Sequence, residues 1–183
     1  MSLIVAAGSL SAATTYVSVD VPVTPFDLAG PGATSTLTVP VGGGVIADLD
    51  VGFTIIGVFA SEIRVYLTSP MGTTVQLTQM DFVDGPTNSM NNAGGTIGFD
   101  DEVVNAMGSQ AAAGTHTPGM GSLSAFDGES AVGVWTLTGV DGGTFTEDGD
   151  TLTGWSISVT TIPEPTVGLL VFVGGLGMLR RKR

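Results

Sequence analysis

Carboxylates are the residues of this sequence best able to do chemistry, and they come in clusters. Asp81 and Asp84 stand in QMDFVDGPTNSMNN, Asp100, Asp101 and Glu102 in GFDDEVV, Asp127 in AFDGE, and Glu147, Asp148 and Asp150 in FTEDGDT. A hard cation such as Ca2+ takes about six to eight oxygens from carboxylates, amides and carbonyls. Neighbouring aspartates repel, and ahead of the C-terminal tail Arg64 is the sole basic residue, so a bound cation would relieve them. Loops distant in sequence meet at one end of a β-sandwich, which would bring the first two clusters together. The expected Ca2+ ligands are therefore Asp84, Asp100 and Asp101, with Asp127 as a fourth contributor. The competing reading is solvated turn residues. For Glu147-Asp148-Gly149-Asp150 that reading is preferred, because Asp-Gly is hairpin chemistry and the spacing is not that of an EF-hand loop.

Other chemistries find less support. His116 is the single histidine, so any Ser-His-Asp triad must use it. It sits in GTHTPGMG, without a Gly-x-Ser-x-Gly elbow, and reads as a surface-loop residue. A glycosidase needs two carboxylates of different pKa, yet these acids read as exposed and loop-bound, with nothing to raise a pKa. The aromatic residues fall mostly in the inward phase of strands, Tyr66 excepted, so there is no aromatic platform for a sugar. Cysteine is absent, which excludes disulfides and thiolate metal sites. Of the 17 acids 16 precede Pro163, against Arg64 alone. Phosphate backbones would repel such a body, so nucleic acid is excluded as a partner.

The elements that must position these acids read as strands. DLDVGFTI alternates Asp48 and Asp50 with Leu49, Val51, Phe53 and Ile55, the period of a strand with one buried face. EIRVYLT and TTVQLTQ repeat the pattern around the turn Ser69-Pro70-Met71-Gly72, predicting a hairpin over 62–79. GVWTLTGV and TLTGWSISVTT make a second alternating pair, with Trp135, Leu137, Trp155, Ile157 and Val159 inward. The best helical window, DDEVVNAMGSQAAA, lasts about two turns. Short strands between Gly and Pro turns, in a chain 43% hydrophobic, predict one all-β domain, a sandwich of about eight strands.

IADLDVGFTI, EIRVYLTSPMGTTVQL, TIGFDDEVV, GTHTPGMGSLSAFDGESAVGVWTLTGVD and GDTLTGWSISV together resemble the P domain, or P/Homo B domain, of proprotein convertases, over residues 34–161. The resemblance implies a jelly-roll β-sandwich and no active site of its own, since in that family an attached subtilisin-like domain cuts peptides. The chain is therefore read as no enzyme.

The termini read as targeting segments. Leu3 to Leu10 is a small apolar run, and Ser11-Ala12-Ala13 suits a cleavage site, so residues 1–13 resemble the end of a secretory signal peptide. The alternative is a first strand of the mature protein. Residues 14–33 form an N-terminal strand and linker. The tail, residues 162–183, resembles a PEP-CTERM sorting signal: Pro163-Glu164-Pro165, an apolar stretch over 166–179, and Arg180, Arg181, Lys182 and Arg183. That resemblance implies export across an inner membrane and processing by an exosortase. As a helix the stretch is roughly 21 Å long, against about 30 Å of bilayer hydrocarbon. Snorkelling of the basic stems would bridge the difference. The four cations hold the C-terminal end in the cytoplasm and leave the β domain outside. A core strand would not place three glycines, Gly174, Gly175 and Gly177, before four charges, although a permanent anchor stays open.

Three functional readings follow. The first is a non-catalytic exported module of the cell envelope or extracellular matrix, structural or adhesive, held by an envelope or matrix polymer. The second is an accessory module of a separate secreted subtilisin-like protease. The third, a hydrolase in its own right, has the least support.

Overall fold

A computed structural model describes residues 12–26, 31–56, 63–78, 95–105, 113–141 and 149–162. Nine strands form among them, against the eight or so expected: β1 Thr14–Val17, β2 Ala33–Val39, β3 Val45–Ile56, β4 Ile63–Thr68, β5 Thr74–Gln76, β6 Ile97–Phe99, β7 Gly114–His116, β8 Gly133–Asp141 and β9 Thr151–Ile162. One 3-10 turn, Leu123–Phe126, precedes β8. The strands make two sheets, one in the order β1-β9-β3-β6-β7 and the other β2-β8-β4-β5. Every pairing is antiparallel except β6 with β7.

The alternation read in the sequence decides which face is buried. In β2 the threonines point out while Ala33, Ser35, Leu37 and Val39 point in. β4 buries Ile63, Val65 and Leu67. Its link to β5 is a tight turn in which the Gly72 amide donates to the Ser69 carbonyl at 3.0 Å. Gly72 there adopts φ 91°, a conformation that side chains with a Cβ resist. The Thr73 hydroxyl donates to Glu129, tying this hairpin to the loop before β8. Strand β3 departs from strict alternation: Ile46 and Leu49 are both buried although three residues apart. A bulge between Ile46 and Asp48 permits this, because an extra residue resets the face that later side chains take. It also turns Asp48 and Asp50 outward together.

The second pair read from the sequence is corrected. β8 lies between β2 and β4, whereas β9 lies between β1 and β3. The two strands do not hydrogen-bond to each other; they face one another across the core. Trp135 is fully buried from one sheet, and Trp155, Ile157 and Val159 are buried from the other. Equal alternation therefore reflected a shared core and not a shared ladder. The helical window beginning at Asp100 forms no helix over its described part, 100–105. The apolar stretch 166–179 and the leader-like residues 1–11 lie outside the described residues. No helix among the described residues is long and apolar enough to cross a membrane.

The segment before β2 closes the sandwich. Phe26 is fully buried and packs on Gly139 of β8, where a Cβ would stand 2.3 Å from the Phe26 carbonyl oxygen and 2.6 Å from its ring. Gly139→Ala is expected to cost about 1–3 kcal/mol by overpacking. Urea unfolding checks this, and a variant as stable as the parent would show that the Phe26 segment can lift away at no cost.

Candidate functional site

The acids gather at the end of the five-stranded sheet where β3 enters and β6 leaves. The β3–β6 register pairs Val51 with Phe99 and Gly52 with Gly98, so the next step along brings Asp50 level with Asp100. Beyond it, Asp48, Asp101 and Glu102 each present a carboxylate oxygen, all within 4.8 Å of one another. Asp127, at the end of the 3-10 turn, is close enough to Asp101 and Asp48 to feel their charge.

The loop that carries Asp100 to Glu102 is well held. The Asp100 amide donates to the His116 carbonyl at 3.0 Å. The Glu102 amide donates to Asp100 Oδ1 at 2.8 Å. Asn105 Nδ2 donates to the Thr115 carbonyl at 2.8 Å. Asp101 Oδ2 accepts from the Ser124 amide at 2.9 Å and from the Ser122 hydroxyl, fixing it to the 3-10 turn.

The electrostatics follow from this crowding. Burial, then the charges of Asp48, Asp100 and Asp101, push Asp50 up to about 6. Glu102 rises to about 7, chiefly because its carboxyl hydrogen-bonds Asp100, with burial and the Asp48 and Asp101 charges adding to it. Asp48 is raised by burial and by Asp100 and Asp101, although the Leu49 amide opposes the shift. Asp127 is raised by burial, then by Asp101 and Asp48. Asp101 goes the other way: burial would raise it, but hydrogen bonds from Ser122 and Ser124 outweigh burial and lower it. The expectation that nothing here raises a carboxyl pKa is therefore overturned. Burial leads for Asp48, Asp50 and Asp127 and the hydrogen bond to Asp100 leads for Glu102, with the neighbouring like charges adding to each.

The four residues expected to bind Ca2+ fare differently. Asp100, Asp101 and Asp127 come to one end of the sandwich. Asp84, with Asp81, lies outside the described residues. Asp48, Asp50 and Glu102 belong to the cluster and were not among the expected ligands. Strand alternation did place Asp48 and Asp50 outward together, but only the pairing with β6 shows what they face. Three carboxylate oxygens at this separation suit a cation that takes oxygens at about 2.3–2.6 Å.

Two other acidic or basic positions are corrected. Asp150, read as a solvated turn residue, is fully buried, and its carbonyl accepts from the Phe26 amide at 2.7 Å. Its neighbours Glu147 and Asp148 lie outside the described residues, as do Pro163, Glu164, Pro165 and the basic residues from Arg180 to Arg183. His116, read as a surface-loop residue, is 7% exposed on β7. Its Nδ1 is 3.3 Å from Asn105 Nδ2, a contact that holds the loop together. Arg64 stands on β4 in the other sheet.

Comparisons with known proteins bear on this architecture. No curated protein matches the chain. The crystal structure of a serine protease of Aeromonas sobria is similar, with a TM-score of 0.54 and 17% identity, over 84% of this chain and 27% of that one. So is the Aeromonas sobria serine protease in complex with a chaperone, with a TM-score of 0.54 and 16% identity, over 85% of this chain and 28% of that one. At such identities the likeness is one of fold, and this chain spans little more than a quarter of the protease's length. The family description Proprotein convertase P-domain matches residues 46–159, from the bulge of β3 to near the end of β9. The chain belongs to the proprotein convertase P-domain family.

Proposed function

We propose that the chain is a non-catalytic, exported binding module, a jelly-roll P domain that serves the cell envelope or extracellular matrix as a structural or adhesive unit. The observation that carries this reading is the family match over 46–159. The chemistry-bearing residues of that match agree with it: they are a crowd of carboxylates at one end of the sheet, a cation-holding arrangement and not a nucleophile with its base. Asp48, Asp101 and Glu102 would hold Ca2+, with Asp100 and Asp127 near by and Asp84 as a further ligand. The ion would fasten the loop after β6 to β3 and the 3-10 turn.

Calcium is expected to raise the melting temperature against a chelated control. At a concentration about 100 times Kd the gain is about 2.7 kcal/mol, and no shift at millimolar calcium would sink the site. A pH dependence accompanies it. The folded pKa values of Asp50 and Glu102, about 6 and about 7, lie above the unfolded values of about 3.9 and 4.3. The folded state therefore binds more protons between those limits, and stability falls as pH rises through that window. In chelator, melting is expected to rise as pH drops from about 8 to about 5. Calcium should flatten that slope by taking the protons' place. Asp101, whose pKa is lowered, acts below this window with the opposite sign.

The sorting reading rests on the tail. Pro163-Glu164-Pro165, the apolar stretch and the four terminal cations would span the inner membrane transiently and present an extended strip to an exosortase. Mass spectrometry of the exported protein tests this, and an intact Arg183 counts against processing. A second reading, an accessory domain of a separate subtilisin-like serine protease, is favoured by the fold likeness to the Aeromonas sobria protease. A stoichiometric protease captured from the secreted fraction by the purified chain would select it.

A further inference from the structure

We propose that the outer face of the five-stranded sheet binds a cationic, amino-bearing oligosaccharide along a glycine-floored groove, an inference that names the ligand class for the binding-module reading above and rests on it.

The groove follows from register. One row runs straight across the sheet, Val17 beside Ser156, Ser156 beside Gly52, Gly52 beside Gly98 and Gly98 beside Thr115. With strands about 4.8 Å apart, the row extends about 19 Å. Its centre has two glycines in register, and Gly154 lies next along β9 opposite Thr54. Flanking rows carry side chains, so the glycine row is a trough. Two adjoining depressions of about 330 and 370 Å3 lie along it, sharing Gly52 and Ser156.

The walls are hydroxyls and carboxylates. Thr54 and Thr96 pair at 3.2 Å on one side. Thr15 and Ser158 pair at 2.9 Å on the other, beside Asp50 and Asp100. Hydroxyl pairs offer both donors and acceptors to a polyol. Carboxylates accept charge-assisted bonds from an ammonium group. An extended peptide fits less well, because β9, β3 and β6 each have neighbours on both sides and so have no free ladder for strand addition. No Lys or Arg lines either depression, and Asp50 and Asp100 line one of them. An anionic polymer is repelled there and a cationic one is drawn in.

The probe is a glucosamine oligomer, titrated calorimetrically into the full chain, with its N-acetylated counterpart and an oligolysine of equal charge as comparisons. A Cβ at Gly154 would meet nothing within 4 Å, so Gly154→Gln brings a side chain into the trough with no clash at its Cβ. Asp50→Asn removes the nearest wall charge. Binding of the glucosamine oligomer is expected, with each substitution, and N-acetylation of the probe, weakening it about tenfold, that is about 1.4 kcal/mol. Oligolysine should bind more weakly and ignore Gly154→Gln. The proposal is overturned if the glucosamine oligomer does not bind, if Gly154→Gln leaves its affinity unchanged, or if oligolysine responds as the sugar does. Those failures leave the exported-module reading standing, whereas an intact Arg183 would sink the sorting reading without touching the groove.

Discussion

Trp135→Ala is expected to lower the unfolding free energy by about 3–5 kcal/mol, the range for removing a large buried aromatic. Trp135 is fully buried, near the start of β8 opposite Leu37 of β2. Its ring meets Phe126 edge-on, 5.2 Å between centroids at 72°. Its Nε1 donates to the Ala131 carbonyl at 2.9 Å. Truncation opens a cavity in the core and strips a buried carbonyl of its donor. The damage should reach the acidic end, because Phe126 sits in the 3-10 turn whose Ser124 amide, with the Ser122 hydroxyl just before it, holds Asp101 and whose last residue precedes Asp127. The variant is therefore expected to lose calcium stabilisation as well as intrinsic stability. Trp135→Phe keeps an aromatic ring against Phe126 but loses the N–H and part of the ring volume, so it should recover part of both. Urea unfolding with and without calcium checks the pair. A truncation costing under about 1 kcal/mol would mean that the two sheets do not close on this ring.

The strands were legible because one buried face stamps a period of two on the sequence. DLDVGFTI, EIRVYLT and TLTGWSISV gave their buried sets directly, and the turn at Gly72 announced a true hairpin. Sheet membership was not legible. β8 and β9 carry the same pattern, but a strand's own residues do not say which neighbour takes its backbone groups. The acidic site divides along the same line. Asp100, Asp101 and Asp127 stood out because acids in Gly-rich loops are conspicuous. Asp48 and Asp50 looked like the wet face of an ordinary strand. They join the cluster through one long-range fact, the pairing of Val51 with Phe99, which depends on chain closure across more than forty residues. His116 and Asp150 misled for the converse reason. Their flanking glycines signalled turns, but His116 ends the short strand β7 and Asp150 sits directly before β9, both buried against the core.

Ser35→Ala is expected to cost about 2–4 kcal/mol, out of proportion to the single oxygen removed, because two hydrogen-bonded groups lose their partner at once. Ser35 is fully buried on β2. Its Oγ accepts from Trp155 Nε1 at 2.7 Å and donates to Asp20 Oδ1 at 2.5 Å. The chain Trp155–Ser35–Asp20 thus runs from β9 in one sheet, through β2 in the other, to the segment between β1 and β2. Asp20 Oδ2 also accepts from the Thr36 amide at 2.6 Å and from its hydroxyl at 3.0 Å. These bonds engage a backbone donor of β2, a strand at the edge of its sheet, and so mask an edge that would invite pairing with another chain. Burial would raise the Asp20 pKa, but the bonds from Ser35 and Thr36 outweigh it and lower it. A carboxylate whose folded pKa is depressed contributes stability above its unfolded value of about 3.9 and loses it as pH falls through the folded value. Ser35→Ala should therefore flatten the acid limb of the stability profile below pH about 4 and leave the calcium-sensitive limb between about 5 and 8 in place. Ser35→Thr, which keeps the hydroxyl, separates the hydrogen bonds from packing. If the threonine variant is as unstable as the alanine one, or if the acid limb is unchanged in Ser35→Ala, the relay does not hold the two sheets together.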